Sequence, residues 1–181
     1  RPMWNEFLQT WQDPHARHAM IVHIPIALGA LGVLPLLALA ATRFTSRPLK
    51  LLCIGWFLVA SAGAFMAANA GEEAKERVEK TTPAAAKAAL HDHEELGENG
   101  WAWPLIPAGL LVVSLVPRKK LAAAAGVLAI AGALAVTGWV AYTGHTGGKL
   151  VYTYGVGVPA PGAAGTQIPA APAKEKHDDD D

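Results

Sequence analysis

Residues 121–143 read LAAAAGVLAIAGALAVTGWVAYT, an uncharged run longer than the about 20 residues a helix needs to cross a bilayer. Two further runs are long and strongly apolar, 19–41 (AMIVHIPIALGALGVLPLLALAA) and 49–70 (LKLLCIGWFLVASAGAFMAANA), the latter with Lys50 at its start. A fourth, 101–116 (WAWPLIPAGLLVVSLV), is shorter, but Trp101 and Trp103 at one end and Arg118, Lys119 and Lys120 beyond the other are the anchors of a span. Four spans put both termini on one side. The links after the first and third runs carry Arg43, Arg47, Lys50 and then Arg118, Lys119, Lys120, with no acid in either. By the positive-inside rule these links are cytoplasmic, which places the termini and the 71–100 segment outside a bacterial inner membrane, in the periplasm.

The whole chain agrees with this. It has 181 residues, 52% hydrophobic and 17% charged, with 15 basic and 15 acidic side chains and no net charge; its mean hydropathy is +0.25. Disorder is excluded by the apolar content, and nucleic-acid binding lacks a basic excess. The neutrality is a cancellation: the cytoplasmic links hold six basic residues and no acid, whereas the outside holds nine basic and fifteen acidic ones. The predicted class is an all-α integral membrane four-helix bundle, with an outer-face helix before span three and an extended C-terminal segment.

Three regions follow: an interfacial helix over 1–13, the four-span domain over 14–158, and a Pro/Ala-rich acidic tail over 159–181. In the first, Trp4, Phe7, Leu8 and Trp11 recur at i, i+3, i+4, i+7 among polar residues. Asp13 and Pro14 form an N-cap and first-turn pair, so the first span is predicted to begin at Pro14. Residues 72–80 read as a solvated helical extension, and Thr82–Pro83 restarts a helix running to about Leu96. In GGKLVYTYGVGV (147–158), Leu150, Tyr152 and Tyr154 alternate with Val151 and Thr153, a pattern of extended chain. The single Cys53 forms no disulfide within the chain, and without a C-x-x-C-H sequence any haem is held non-covalently.

Six of the seven histidines fall in the outer half or just outside it, with His177 in the acidic tail. Helical phase puts His23 on a stripe of mainly small residues (Ala16, Ala19, Met20, Ala27, Ala30) of the kind membrane helices turn toward one another. His18 lies on another face with Ile21, Val22 and Pro25. His93 follows Ala86, Ala89 and Leu90, whereas His91 shares its face with Lys87, Glu94 and Glu95. Ala131, Ala135, Gly138 and Tyr142 form a second small stripe that ends at His145, with Gly144 and Gly147 expected to break the helix. His23, His93 and His145 are thus expected to converge, either as axial ligands of a b-type haem or as a copper or zinc site. The small residues favour a flat ligand. His15, His18 and His91 also suit a wet boundary, and a lone intramembrane histidine can simply satisfy a neighbouring helix.

HAMIVHIPIAL (18–28) and GGKLVYTYGVGV resemble the H-P-x-x-V-H-F-P-I and G-G-x-L-V-Y-x-x-G-V-G-V signatures of bacterial four-span membrane proteins in domain-of-unknown-function family 2231, over roughly residues 15–158. Ala19 replaces the usual Pro and Ile24 the usual Phe. The family is similar in layout to small membrane b-type cytochromes, and its members occur near or fused to c-type cytochromes, which implies a redox-associated role.

The resulting expectation is a membrane subunit that binds haem b, or another His-ligated metal, near the periplasmic face and takes part in electron transfer within a larger complex. His23 with His93 is the expected axial pair, with His145 and His18 as substitutes and Arg17, Lys149 and Tyr152 near the propionates. Expected partners are the lipid bilayer, other membrane subunits and a periplasmic c-type cytochrome-like protein. The competing expectation is a cofactor-free structural subunit whose periplasmic segments dock a partner. Both expectations describe a non-catalytic subunit, with the question of enzyme activity left open.

Overall fold

The computed structural model describes residues 3–158, which are helical throughout apart from turns and short links. The expected tail over 159–181, His177 included, lies outside the described residues. The elements are α1 (Met3–Gln12), α2 (Pro14–Ala41), α3 (Arg47–Val78), α4 (Lys87–Glu98), α5 (Leu105–Val113) and α6 (Lys119–Tyr152), with 3-10 turns at Ala84–Ala86 and Gly100–Ala102. Helices α2, α3 and α6 are long and apolar enough to cross a membrane. Leucines such as Leu34, Leu51, Leu58 and Leu128 lie exposed around the bundle, the surface a soluble protein avoids and a lipid-embedded one needs.

Prolines shape the first and third apolar runs. A proline has no N–H and its ring displaces the carbonyl four residues back. Helix α2 is accordingly interrupted after Ile21, four residues before Pro25, and after Leu31, four residues before Pro35. Its start is the one expected: Asp13 Oδ1 accepts from the His15 and Ala16 amides at 2.8 and 3.1 Å, and Pro14 opens the helix. In the 101–116 run, Pro104 and Pro107 leave a regular helix only over Leu105–Val113. It packs against α3 and α6.

Large side chains concentrate at the end of the bundle that carries the basic links. Leu36, Leu39, Phe57 and Leu111 pack there with Cys53, Ala129 and Ala133. Phe44, in a left-handed turn after α2 (φ 58°), lies against Gly126 with no room for a Cβ between them. The buried Lys50 ammonium donates to the Ser114 carbonyl at the end of α5. Toward the other end the facing residues shrink to Ala67, Ala70, Gly71 and Gly147. Small residues fill less volume, and a cavity of about 530 Å³ opens between the helices.

Three expectations are corrected. The stripes ending at His23 and His145 face outward: Ala19, His23, Ala27 and Ala30 are exposed, as are Ala131, Ala135, Gly138, Tyr142 and His145. The inward face of α2 is Ile21, Pro25 and Gly29; a Cβ on Gly29 would meet Val136 Cγ1 at 3.4 Å, so glycine lets α6 close in. Gly144 and Gly147 do not break α6, which stays helical because tertiary packing outweighs their propensity. Lastly, residues 147–152 are helical. Leu150 turns in to meet Ala86 and Val156, and only after Tyr152 does the chain leave the helix. Gly155 and Gly157, at φ 66° and 75°, make the turns there.

Candidate functional site

His18 from α2 and His93 from α4 meet inside the cavity. Their ring centroids are 6.4 Å apart and their planes are perpendicular, at 89°. Each is tethered by one nitrogen. His18 Nδ1 lies 2.8 Å from the Ala67 carbonyl on α3, and His93 Nδ1 lies 2.9 Å from the Thr146 hydroxyl on α6. A backbone carbonyl can only accept, so His18 carries its proton on Nδ1 and leaves Nε2 bare. Burial, and then the neighbouring His18, hold the His93 pKa below the ordinary histidine value, partly offset by the Thr143 carbonyl. At neutral pH His93 is an uncharged imidazole able to act as a ligand.

Glycines set the depth of both rings. A Cβ on Gly71 would come 3.0 Å from His18 Cε1, and one on Gly147 would come 3.0 Å from His93 Cε1. Gly97 and Gly144 also line the cavity, yet nothing lies within 4 Å of where their Cβ atoms would stand. Those two face open space that side chains would have filled. Most of the remaining wall is apolar, including Val22, Pro25, Ala64, Trp101 and Trp139. Trp139 is held in place by its indole N–H on the Leu96 carbonyl, 3.0 Å away. Among the described residues, two buried side-chain polar atoms have no partner, His15 Nδ1 and Thr143 Oγ1. Both residues belong to this wall.

Charge collects at the rim. Glu72, Lys75, Glu94 and Glu98 border the cavity. The Lys75 ammonium hydrogen-bonds to Glu94 and holds that carboxyl below the usual carboxylate range. Arg17 pairs with Glu73 instead of lining the cavity.

Of the residues expected from the sequence, His18 and His93 are brought together and the others are not. His23 is exposed on the outside of α2, its Nδ1 2.8 Å from its own helix's Ala19 carbonyl. His145 is exposed on α6. Tyr152 is 90% exposed, and Lys149 sits over the Tyr154 ring at 5.8 Å. His91 lies in solvent beside Glu94 and Glu95. Among the described residues no group of three or more His, Cys, Asp or Glu side chains is placed to hold a metal ion, so a His23–His93–His145 centre is not assembled. The sequence gives no local signal for Thr146 or Gly71, and it reads Gly147 as a helix break, not as the contact of His93. Nothing local in the sequence ranks the His18 face of α2 above the His23 face.

The family described as "Predicted membrane protein (DUF2231)" matches residues 14–160. The chain belongs to this family. Within the DUF2231 chain the match opens at Pro14, where α2 begins, and includes both facing histidines and both glycines against them. No curated protein and no solved structure matches it.

Proposed function

We propose that this protein holds one b-type haem between His18 and His93 and passes electrons at the periplasmic face of a bacterial inner membrane, as part of a larger assembly. The spacing of the two rings carries the reading. The observed separation is 6.4 Å. Metal–imidazole bonds are about 2.0 to 2.1 Å long, so two rings at this separation would be near enough to hold one metal between them.

Other features of the cavity favour the same occupant. Its volume of about 530 Å³ lies in the range of cofactor pockets, its wall is mostly apolar, and Gly97 and Gly144 leave open space along it. Both histidines have one nitrogen tethered, the usual way a protein orients a ligating imidazole. Two donors are too few for a structural zinc site, which takes four. When bound, haem supplies reversible one-electron chemistry. The chain's own part is to supply two neutral imidazoles, exclude water with the Ala- and Trp-lined wall, and place acidic side chains at the rim. An acidic rim draws in a basic protein such as a small c-type cytochrome.

The four-span topology belongs to the same reading. The 101–116 run then completes the crossing in spite of its short regular helix, and Lys50 bonded to Ser114 ties both basic links together on the cytoplasmic side. The visible absorption spectrum of the protein purified from membranes tests the function. A Soret band with about one haem per chain supports it. A colourless protein that takes up no added haemin overturns it.

A further inference from the structure

Thr146 is on α6, and its hydroxyl has two neighbours. The oxygen lies 2.9 Å from the Thr143 carbonyl and 2.9 Å from His93 Nδ1. A hydroxyl owns a single proton. Threonine in a helix commonly donates that proton to a carbonyl one turn back, and the Thr143 carbonyl can only accept. With its proton spent there, the Thr146 oxygen acts toward His93 as an acceptor. His93 Nδ1 must then be the donor, and a neutral imidazole with its proton on Nδ1 has a bare Nε2.

We propose that Thr146 is the positioning residue of His93: it fixes the Nδ1–H tautomer and leaves Nε2 bare in the cavity that His93 shares with His18. The geometry stands by itself; the consequence for cofactor binding rests on the haem reading above. His18 reaches the same tautomer against the Ala67 carbonyl, a backbone group that no substitution removes. The two imidazoles are therefore the same tautomer, each with a bare Nε2, and they line one cavity. Two lone pairs cannot bond to each other, and what satisfies both is an electron-pair acceptor between them. Of the two tethers, only the one through Thr146 is made by a side chain. It is the point at which ring orientation and ligand basicity can be tuned.

The test uses the full chain in lipid nanodiscs with 15N-labelled histidine, the His93 signals being assigned by their loss in His93→Gln. In the cofactor-free wild type, His93 is expected to show a protonated Nδ1 and a bare Nε2. Thr146→Val keeps the shape and removes the acceptor, so a mixture of tautomers is expected, and its haemin affinity is expected to fall about tenfold or more. Thr146→Ser keeps the hydroxyl and is expected to restore the wild-type tautomer and affinity. A wild-type His93 protonated on Nε2 overturns the proposal, with no variant needed. So does a Thr146→Val protein with unchanged tautomer and unchanged haemin affinity. If the tautomer shifts in Thr146→Val while even the wild type takes up no haemin, the role of Thr146 stands and the haem reading falls.

Discussion

Gly147 packs edge-on against His93, so close that a Cβ at that position would stand 3.0 Å from the imidazole Cε1. Gly71 does the same to His18 on the opposite side of the cavity. These contacts make a pair of glycines, remote in sequence, jointly responsible for where two rings sit. Gly147→Ala and Gly71→Ala are each expected to push one imidazole out of line and to weaken haemin binding, read by titration of the Soret band. Gly138→Ala is the control: nothing lies within 4 Å of that Cβ, and Gly138 is exposed on the far face of α6. It is expected to leave binding unchanged and to stabilise the helix by about 0.5 to 1 kcal/mol.

Stability of the cofactor-free protein is expected to fall on mild acidification. His93 is held below its ordinary pKa of 6.5 by burial and by His18. The unfolded chain therefore takes up its proton first as the pH drops. The stability associated with neutral His93 is complete above about 6.5 and declines below it until the folded-state pKa is reached, by at most about 1.4 kcal/mol per pH unit. Glu94 acts lower: its hydrogen bond to Lys75 depresses its pKa, so its contribution is present above the usual carboxylate range and disappears below about pH 4.5. Melting temperatures measured from pH 7.5 to 5 should decline in the wild type, and His93→Gln should remove the His93 part of that slope.

Lys50 is the buried cation at the basic end, and its only described partner is the Ser114 carbonyl. Lys50→Met keeps the length and apolar stem but leaves that carbonyl without its donor. A loss of about 1 to 3 kcal/mol is expected in reversible unfolding, with haemin affinity retained because the cavity is at the other end.

Helix α1 buries none of its own residues and packs mainly on α2. Its aromatic residues stack on one another, Trp4 on Phe7 at 5.6 Å and Phe7 on Trp11 at 6.1 Å. Removing residues 1–12 is therefore expected to change the stability of the bundle by no more than about 0.5 kcal/mol, as for surface changes generally. A thermal melt of the shortened chain in the same lipid checks this.

Hydropathy made the long helices legible, and the Asp13–Pro14 pair marked the start of α2 because capping is a local event. The gathering of histidines at one end was visible from residue order alone. Which face turned inward was not. Two stripes on α2 have residues small enough for helix packing, Ala19–His23–Ala27–Ala30 and Ile21–Pro25–Gly29, and periodicity ranks them equally. The choice is made by α6, whose Val136 and Val140 fit against Gly29. On α6 the glycines at 144 and 147 look like breaks because their propensity is poor, yet α4, about fifty residues away in sequence, packs along this part of α6 with His93 against Gly147. The Thr146–His93 bond was out of reach for the same reason: neither residue carries a local signal of the other.

The central claim is that His18 and His93 are the ligand pair, and the spectrum of four single variants tests it most directly. The haem-loaded wild type is predicted to show a low-spin, six-coordinate spectrum. His18→Ala and His93→Ala should each abolish it, while His23→Ala and His145→Ala, whose side chains are exposed on the outside of the bundle, should retain it. Loss of the low-spin spectrum in His23→Ala with retention in His18→Ala would contradict the account.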